Sequence, residues 1–146
     1  MKGQRNYRNI VAWERAHTVT LRVYELSRDF PRPETYGLTS QIRRASFSVA
    51  ANIAEGSGRE TDKDFLRFLY ISLGSLKEVE YAALLAHDLD YVSADDYEKL
   101  TVQINQAFAA LQGLIKSVKK KAGLFGGAVA AIASALILWF QRSTFT

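Results

Sequence analysis

Cysteine is absent from the 146 residues, which excludes disulfides and thiolate metal ligands and is compatible with a reducing cytoplasm. Proline occurs only twice, at Pro31 and Pro33 beside Phe30, so helix breaking by this residue is confined to one place. Histidine is almost as scarce. His17 and His87 have no Asp, Glu or His partner at ligand spacing on their own helices, and Asp88 and Asp90 lie too close to His87 in sequence to make a strong ligand pattern. No metal and no cofactor are expected. No Gly-x-Ser-x-Gly elbow occurs, and Gly56-Ser-Gly58 lacks the spacing and the lysine of a phosphate loop. Paired carboxylates occur only where they read as helix-capping acids. Nothing assembles a nucleophile with a base, so the chain is read as carrying no active site and not being an enzyme. Residues 1–8 are basic and polar with no apolar run behind them, so no N-terminal leader is expected.

What is present is a globular composition, 48% hydrophobic and 23% charged, of a size that suits one core plus an appendage. The net charge of +4 is unevenly spread. Residues 1–44 carry nine Lys/Arg against four Asp/Glu, residues 45–98 carry four against eleven, and the remainder carries six and no acid. Such asymmetry suits a nucleic-acid or membrane-surface partner. It equally suits helices that pair with helices of opposite charge.

Apolar residues recur at helical spacing four times over. From Asn9 to Phe30 the stripe runs through Ile10, Trp13, Ala16 or His17, Val23 and Tyr24, and Pro31 ends it. A second helix is expected from about Ser40 to Glu55 with Thr39 as N-cap; its small residues (Ala45, Ser46, Ser48, Ala50, Ala51, Ala54) allow close approach of a neighbour. Thr61 and Ser93, each followed three residues on by Asp64 and Asp96, are start signals for a third helix through Phe65, Leu69, Leu76 and Val79, and a fourth through Leu100, Ile104, Leu111 and Val118. No segment has strand periodicity. The fold class is therefore all-α, an antiparallel up-down-up-down four-helix bundle over residues 1–121.

Residues 122–146 break the pattern and are expected to form an additional apolar C-terminal helix. Ala122 to Phe140 is nineteen residues without a charge, about 28 Å if helical, close to the roughly 30 Å of a bilayer core. Lys119-Lys-Lys121 precedes it, and Trp139 and Arg142 lie at its far end, the flanking of a membrane span that starts in the cytoplasm. The small-residue steps Gly127, Ala131 and Ala135 favour close helix packing. Leu124, Phe125, Gly127, Ala131, Ala135, Leu138 and Trp139 are accordingly the candidate membrane or oligomer contacts. Burial inside an oligomer is the other possibility, and the segment sits at the short limit for spanning.

The run Tyr36-Gly-Leu-Thr-Ser-Gln-Ile-Arg-Arg-Ala-Ser-Phe-Ser-Val-Ala-Ala-Asn-Ile-Ala-Glu-Gly56, followed by Gly58-Arg59 and Phe65-Leu-Arg-Phe-Leu-Tyr-Ile-Ser-Leu-Gly-Ser75, resembles the four-helix bundle proteins encoded in 23S rRNA intervening sequences. The resemblance extends over about residues 6–120, including Trp13, Ala16-His17, Tyr24 and Phe30-Pro31, and stops before the apolar segment. It implies a barrel-shaped homopentamer. It also implies kinship with the accessory protein of diversity-generating retroelements, which binds RNA or DNA through basic surface and docks a reverse transcriptase; for most other members no activity is implied.

Gln41, Arg43 and Arg44 match that family's Gln-Ile-Arg-Arg motif, and guanidinium groups suit phosphate recognition. The alternative for Arg43 and Arg44 is an ion pair with Glu55, Glu78 or Glu80. Asn52 is expected to hydrogen-bond across the bundle and Glu55 to pair with Arg59. Arg59, Lys63 and Arg67, spaced by four, form the candidate exposed basic patch, although a solvated helix face with Glu60, Asp62 and Asp64 nearby has the same pattern. Three functions follow as expectations: a nucleic-acid-binding homo-oligomeric scaffold, a membrane-anchored or pore-forming oligomer in the cytoplasmic membrane, and a purely structural assembly.

Overall fold

The computed structural model describes residues 5–123. Four helices make up most of them: α1 (Val11–Leu26), α2 (Leu38–Ser57), α3 (Asp62–Asp88) and α4 (Ala94–Lys121), with short 3₁₀ turns at Tyr7–Asn9, Ser27–Asp29 and Arg32–Glu34, and no strand among the described residues. The expectations for residues 124–146, including the contacts of Leu124, Phe125, Gly127, Ala131, Ala135, Leu138 and Trp139, lie outside the described residues. No helix among the described residues is long and apolar enough to cross a membrane.

The helix starts follow local chemistry. The Thr61 hydroxyl accepts from the Asp64 amide at 3.0 Å and the Ser93 hydroxyl from the Asp96 amide at 3.1 Å, so both expected caps are formed. α2 differs from expectation: it begins at Leu38, and Thr39 is buried inside its first turn instead of capping it. Gly37 offers no side chain at the cap. The Glu34 carboxylate takes over that duty, with Oε2 accepting from the Leu38 amide at 2.8 Å. Its other oxygen accepts from the Tyr91 hydroxyl at 3.2 Å, which ties the α1–α2 connection to the α3–α4 turn. In that turn Asp90 sits at φ 60°, and the Tyr91 amide donates back to the Ala86 carbonyl at 2.8 Å, closing α3. α4 ends after Lys121, where Gly123 takes a φ of +71°.

Inward residues repeat at three- and four-residue steps. Ala12, Ala16, Val19 and Val23 line α1; Ile42, Ser46, Val49 and Ile53 line α2; Leu69, Ser72, Leu76 and Val79 line α3; and Leu100, Ile104, Leu111 and Ile115 line α4, all buried. Full burial of a leucine such as Leu76 is worth about 1.5–3 kcal/mol, and these rows supply the main cohesion. α1 packs on α2 and α4, and α3 packs on α2 and α4, so α2 and α4 occupy opposite corners.

Contacts join the end of α2 to the start of α3, and the end of α3 to the start of α4. Gly56 lies beside Phe65 and Phe68, and Ser72 donates to the Val49 carbonyl at 2.8 Å, while Ser48 bonds Ser75 at 2.8 Å. Between α3 and α4 the rings of His87 and Tyr97 stack, the Lys77 Nζ lies 4.3 Å from the Phe108 ring centre, and the Lys119 Nζ lies 5.2 Å from that of Tyr70. The small residues of α2 are what permit its approach to α3: a Cβ on Gly56 would fall 2.6 Å from the Phe68 Cβ. Where serines replace aliphatics on this seam, each hydroxyl is satisfied by a carbonyl or by another hydroxyl, so burial leaves no orphan. Asn52 differs from expectation here. Its Nδ2 donates to Ser48 on its own helix, and it is Ser48 that reaches across to Ser75.

Candidate nucleic-acid interface

The end of α2, the start of α3, the end of α4 and the segment before α1 are in contact at one end of the bundle. Their cations arrive from four separate places in the sequence. Phe68, half-buried in the second turn of α3, is the centre. The Arg59 Cζ lies 4.6 Å from its ring centroid and the Arg67 Cζ 5.9 Å. Arg5 joins them, with Nη1 donating to the Arg59 carbonyl at 3.1 Å, Cζ 4.7 Å above the Phe65 ring, and an ion pair to Asp62. On the neighbouring edge Lys119 covers Tyr70, which lies one turn on from Arg67, and Lys120 and Lys121 complete α4's last turn.

Not all of this charge is uncommitted. Arg59 pairs with Glu55 at 2.5 Å, the expected i, i+4 contact, and Arg5 is bound to Asp62. Lys119 to Lys121 also complement the negative end of the α4 dipole. Lys63, Arg67, Lys120 and Lys121 form no ion pair among the described residues. Arg67, which pairs with no carboxylate among the described residues, keeps N–H donors for phosphate oxygens.

The five expected nucleic-acid residues therefore separate. Arg59, Lys63 and Arg67 come together at the basic end. Arg43 and Arg44 do not join them, lying more than three helical turns away along α2. The Arg43 Nε donates to the buried Ser27 hydroxyl at 2.7 Å and its Cζ lies 5.0 Å from the Tyr24 ring centre, so it braces α2 against α1. Neither arginine pairs with Glu55, Glu78 or Glu80 among the described residues; Arg44 is exposed. Sequence reasoning missed Arg5 as a member of the site. Its only signal was the basic character of the N-terminal residues, which does not say where they fold back.

The opposite end carries other chemistry. Arg22 bridges Glu25 at 2.6 Å and Asp96 at 2.5 Å in an open cleft between α1 and α4 lined also by Asp95, Glu98, Lys99, Val102, Gln103 and Gln106. The hydrogen bond to Glu25 is the main cause holding its pKa above the usual arginine value. Acid predominates at that end. His17 stacks on Trp13 with centroids 5.0 Å apart and His87 on Tyr97 at 4.5 Å, and among the described residues no three His, Asp or Glu groups stand where they could share a metal ion.

The family model described as 23S rRNA-intervening sequence protein matches residues 8–113. No curated protein matches the chain. Among solved structures, the crystal structure of a protein with unknown function from the S23 ribosomal protein family of Bacteroides thetaiotaomicron VPI-5482 is similar, with a TM-score of 0.67 and 24% identity over 73% of this chain and 99% of that one. At that identity the likeness speaks to the fold alone.

Proposed function

The chain belongs to the 23S rRNA-intervening sequence protein family, and from that premise we propose that it is a non-enzymatic, homo-oligomeric scaffold that holds nucleic acid against the basic end of its bundle. The observation that carries this reading is the placing of Arg59 and Arg67 over the ring of Phe68 and of Lys119 over that of Tyr70, with Lys63, Lys120 and Lys121 on the adjoining turns of α3 and α4. Cations set among partly exposed aromatic rings suit a strand whose phosphates and bases are both within reach. The reading takes the bundle as up-down-up-down and antiparallel, and the assembly as the pentameric barrel that the family resemblance implies. Five copies arranged about one axis would present five such ends on the same rim, multiplying a weak contact.

Fluorescence anisotropy of labelled single-stranded RNA and DNA, titrated with the full chain in low salt, tests the reading. Binding that weakens steeply with added salt supports it; no binding of either polymer in low salt overturns it.

A second reading is favoured by sequence. Lys119-Lys-Lys121, at this same end, leads into the uncharged stretch Ala122 to Phe140, so the oligomer would be held to a membrane through its basic rim, as an anchor or a pore. Flotation with vesicles of phosphatidylglycerol and phosphatidylcholine separates the two. Retention in the soluble fraction, without detergent and as a monodisperse species, counts against the membrane reading.

A further inference from the structure

Two corners of the bundle are electrically blank. No charged residue occurs on α4 between Lys99 and Lys116, although Val102, Asn105, Gln106, Ala109, Gln112 and Gly113 are exposed. None occurs on α2 between Arg44 and Glu55, where Phe47 is 63% exposed and Ala51 and Ala54 are half-buried. The outer face of α1 carries Glu14, Arg15 and Glu25; that of α3 carries Lys63, Arg67 and Glu80 but is also uncharged from Phe68 to Leu76, where Tyr70, at the basic end and covered by Lys119, and Ile71 are exposed. A helix face that meets only water is usually charged, whereas interface centres are depleted of charge and enriched in aromatic residues such as Phe47.

We infer that the α2 face of one copy seats on the α4 face of the next, in a head-to-tail contact repeated around the assembly. This rests on the homo-oligomeric reading above and names the surfaces that make it. α2 and α4 stand at opposite corners, each bordered by α1 and α3, so one copy cannot cover both of its own faces. A single α2-to-α4 contact covers both blank faces of every copy. A two-fold contact of α2 on α2, or of α4 on α4, leaves the other face bare.

Charge at the ends of the faces agrees. Both helices run opposite to α3, so rotation about an axis along the bundle brings like ends together. The start of the α2 face carries Arg44, and the start of the α4 face carries Glu98; the far ends carry Glu55 and Lys116. With Ala51 opposite Ala109, Arg44 lies about one helical turn from Glu98, and Glu55, which also pairs with Arg59, lies about one turn from Lys116. Arg44, Glu98 and Lys116 have no ion-pair partner among the described residues. Size agrees as well. In this register Ala51 and Ala54 come opposite Ala109 and Gly113, so the helix axes approach closely, and Phe47 comes over the edge of the cleft at Val102 and Gln106.

The chain has no cysteine, so placed cysteines report cleanly. Full-length Ala51→Cys, Ala109→Cys and the double variant are treated with a short bismaleimide and run under denaturing conditions, alongside light scattering of each untreated protein. The double variant is expected to give a ladder of covalent multimers and each single variant only monomer. Arg44→Glu is expected to raise the concentration at which the assembly dissociates at least tenfold, and Glu98→Arg in the same chain to bring it back. A native oligomer with no ladder, or with covalent dimers from either single variant, overturns this interface while leaving the homo-oligomer standing. A monomer by light scattering overturns the homo-oligomer itself and the interface with it.

Discussion

Gly56 on α2 and Phe68 on α3 stand so close that a Cβ on the glycine would lie 2.6 Å from the phenylalanine Cβ and 2.9 Å from a ring carbon of Phe65. The missing side chain thus sets the distance between two helices. It also sets the position of the ring on which Arg59 and Arg67 rest.

Gly56→Ala is accordingly expected to destabilise the bundle by about 1–3 kcal/mol, the usual cost of overpacking, despite alanine's better helix propensity. Urea denaturation followed by circular dichroism measures it. An unchanged or higher midpoint would show that the two helices separate without strain.

Asp90 makes the opposite prediction. It closes α3 at φ 60°, a conformation that costs an L side chain energy and glycine almost none. Asp90→Gly is expected to be stabilising by roughly 0.5–1 kcal/mol, after allowing for glycine's larger entropy in the unfolded chain. A thermal melt that moved down would contradict this.

Tyr91 bears on alkaline pH. Desolvation, and then its hydrogen bond to Glu34, hold its pKa above the usual tyrosine value. The neutral form is favoured in the folded state, so its contribution is complete below the unfolded-state pKa of about 10 and is lost as pH rises through the higher folded value. Lys99, raised chiefly by its hydrogen bond to Asp95, has the same sign in a neighbouring range. Tyr91→Phe removes only the tyrosine's share. Its stability should fall less steeply between about pH 9 and 11, as seen in urea midpoints, than that of the unmodified protein; parallel curves would contradict the assignment.

Arg43 separates a bracing role from a binding one. Removing the bond to Ser27 and the packing on Tyr24 through Arg43→Ala is expected to cost about 1–2 kcal/mol of stability, with nucleic-acid affinity per folded molecule unchanged. A stable variant with weakened, less salt-dependent binding would return Arg43 to the interface.

The helices could be read from the sequence because the apolar steps through Ala16 and Val23, Leu76 and Leu111, and the caps at Thr61 and Ser93, are local signals. The start of α2 could not, since its cap comes from Glu34 across a turn that propensity does not describe. For the candidate site, Arg59, Lys63 and Arg67 were recognisable through their spacing along neighbouring turns. Arg5 and Lys119 were not assigned to the same place, because only folding back of the chain brings them there. Arg43 and Arg44 illustrate the converse. Adjacent in sequence, they diverge on the helix, one inward to Ser27 and one out to solvent.

That the basic end holds phosphate is the central claim, and the salt dependence of nucleic-acid binding measures it directly. For the full chain, the logarithm of the affinity should fall linearly with the logarithm of salt concentration. The double variant Lys63→Ala, Arg67→Ala should bind more weakly, with a slope shallower by about 0.7–0.9 for each phosphate that it no longer neutralises. A slope and affinity identical to those of the unmodified protein would contradict the account.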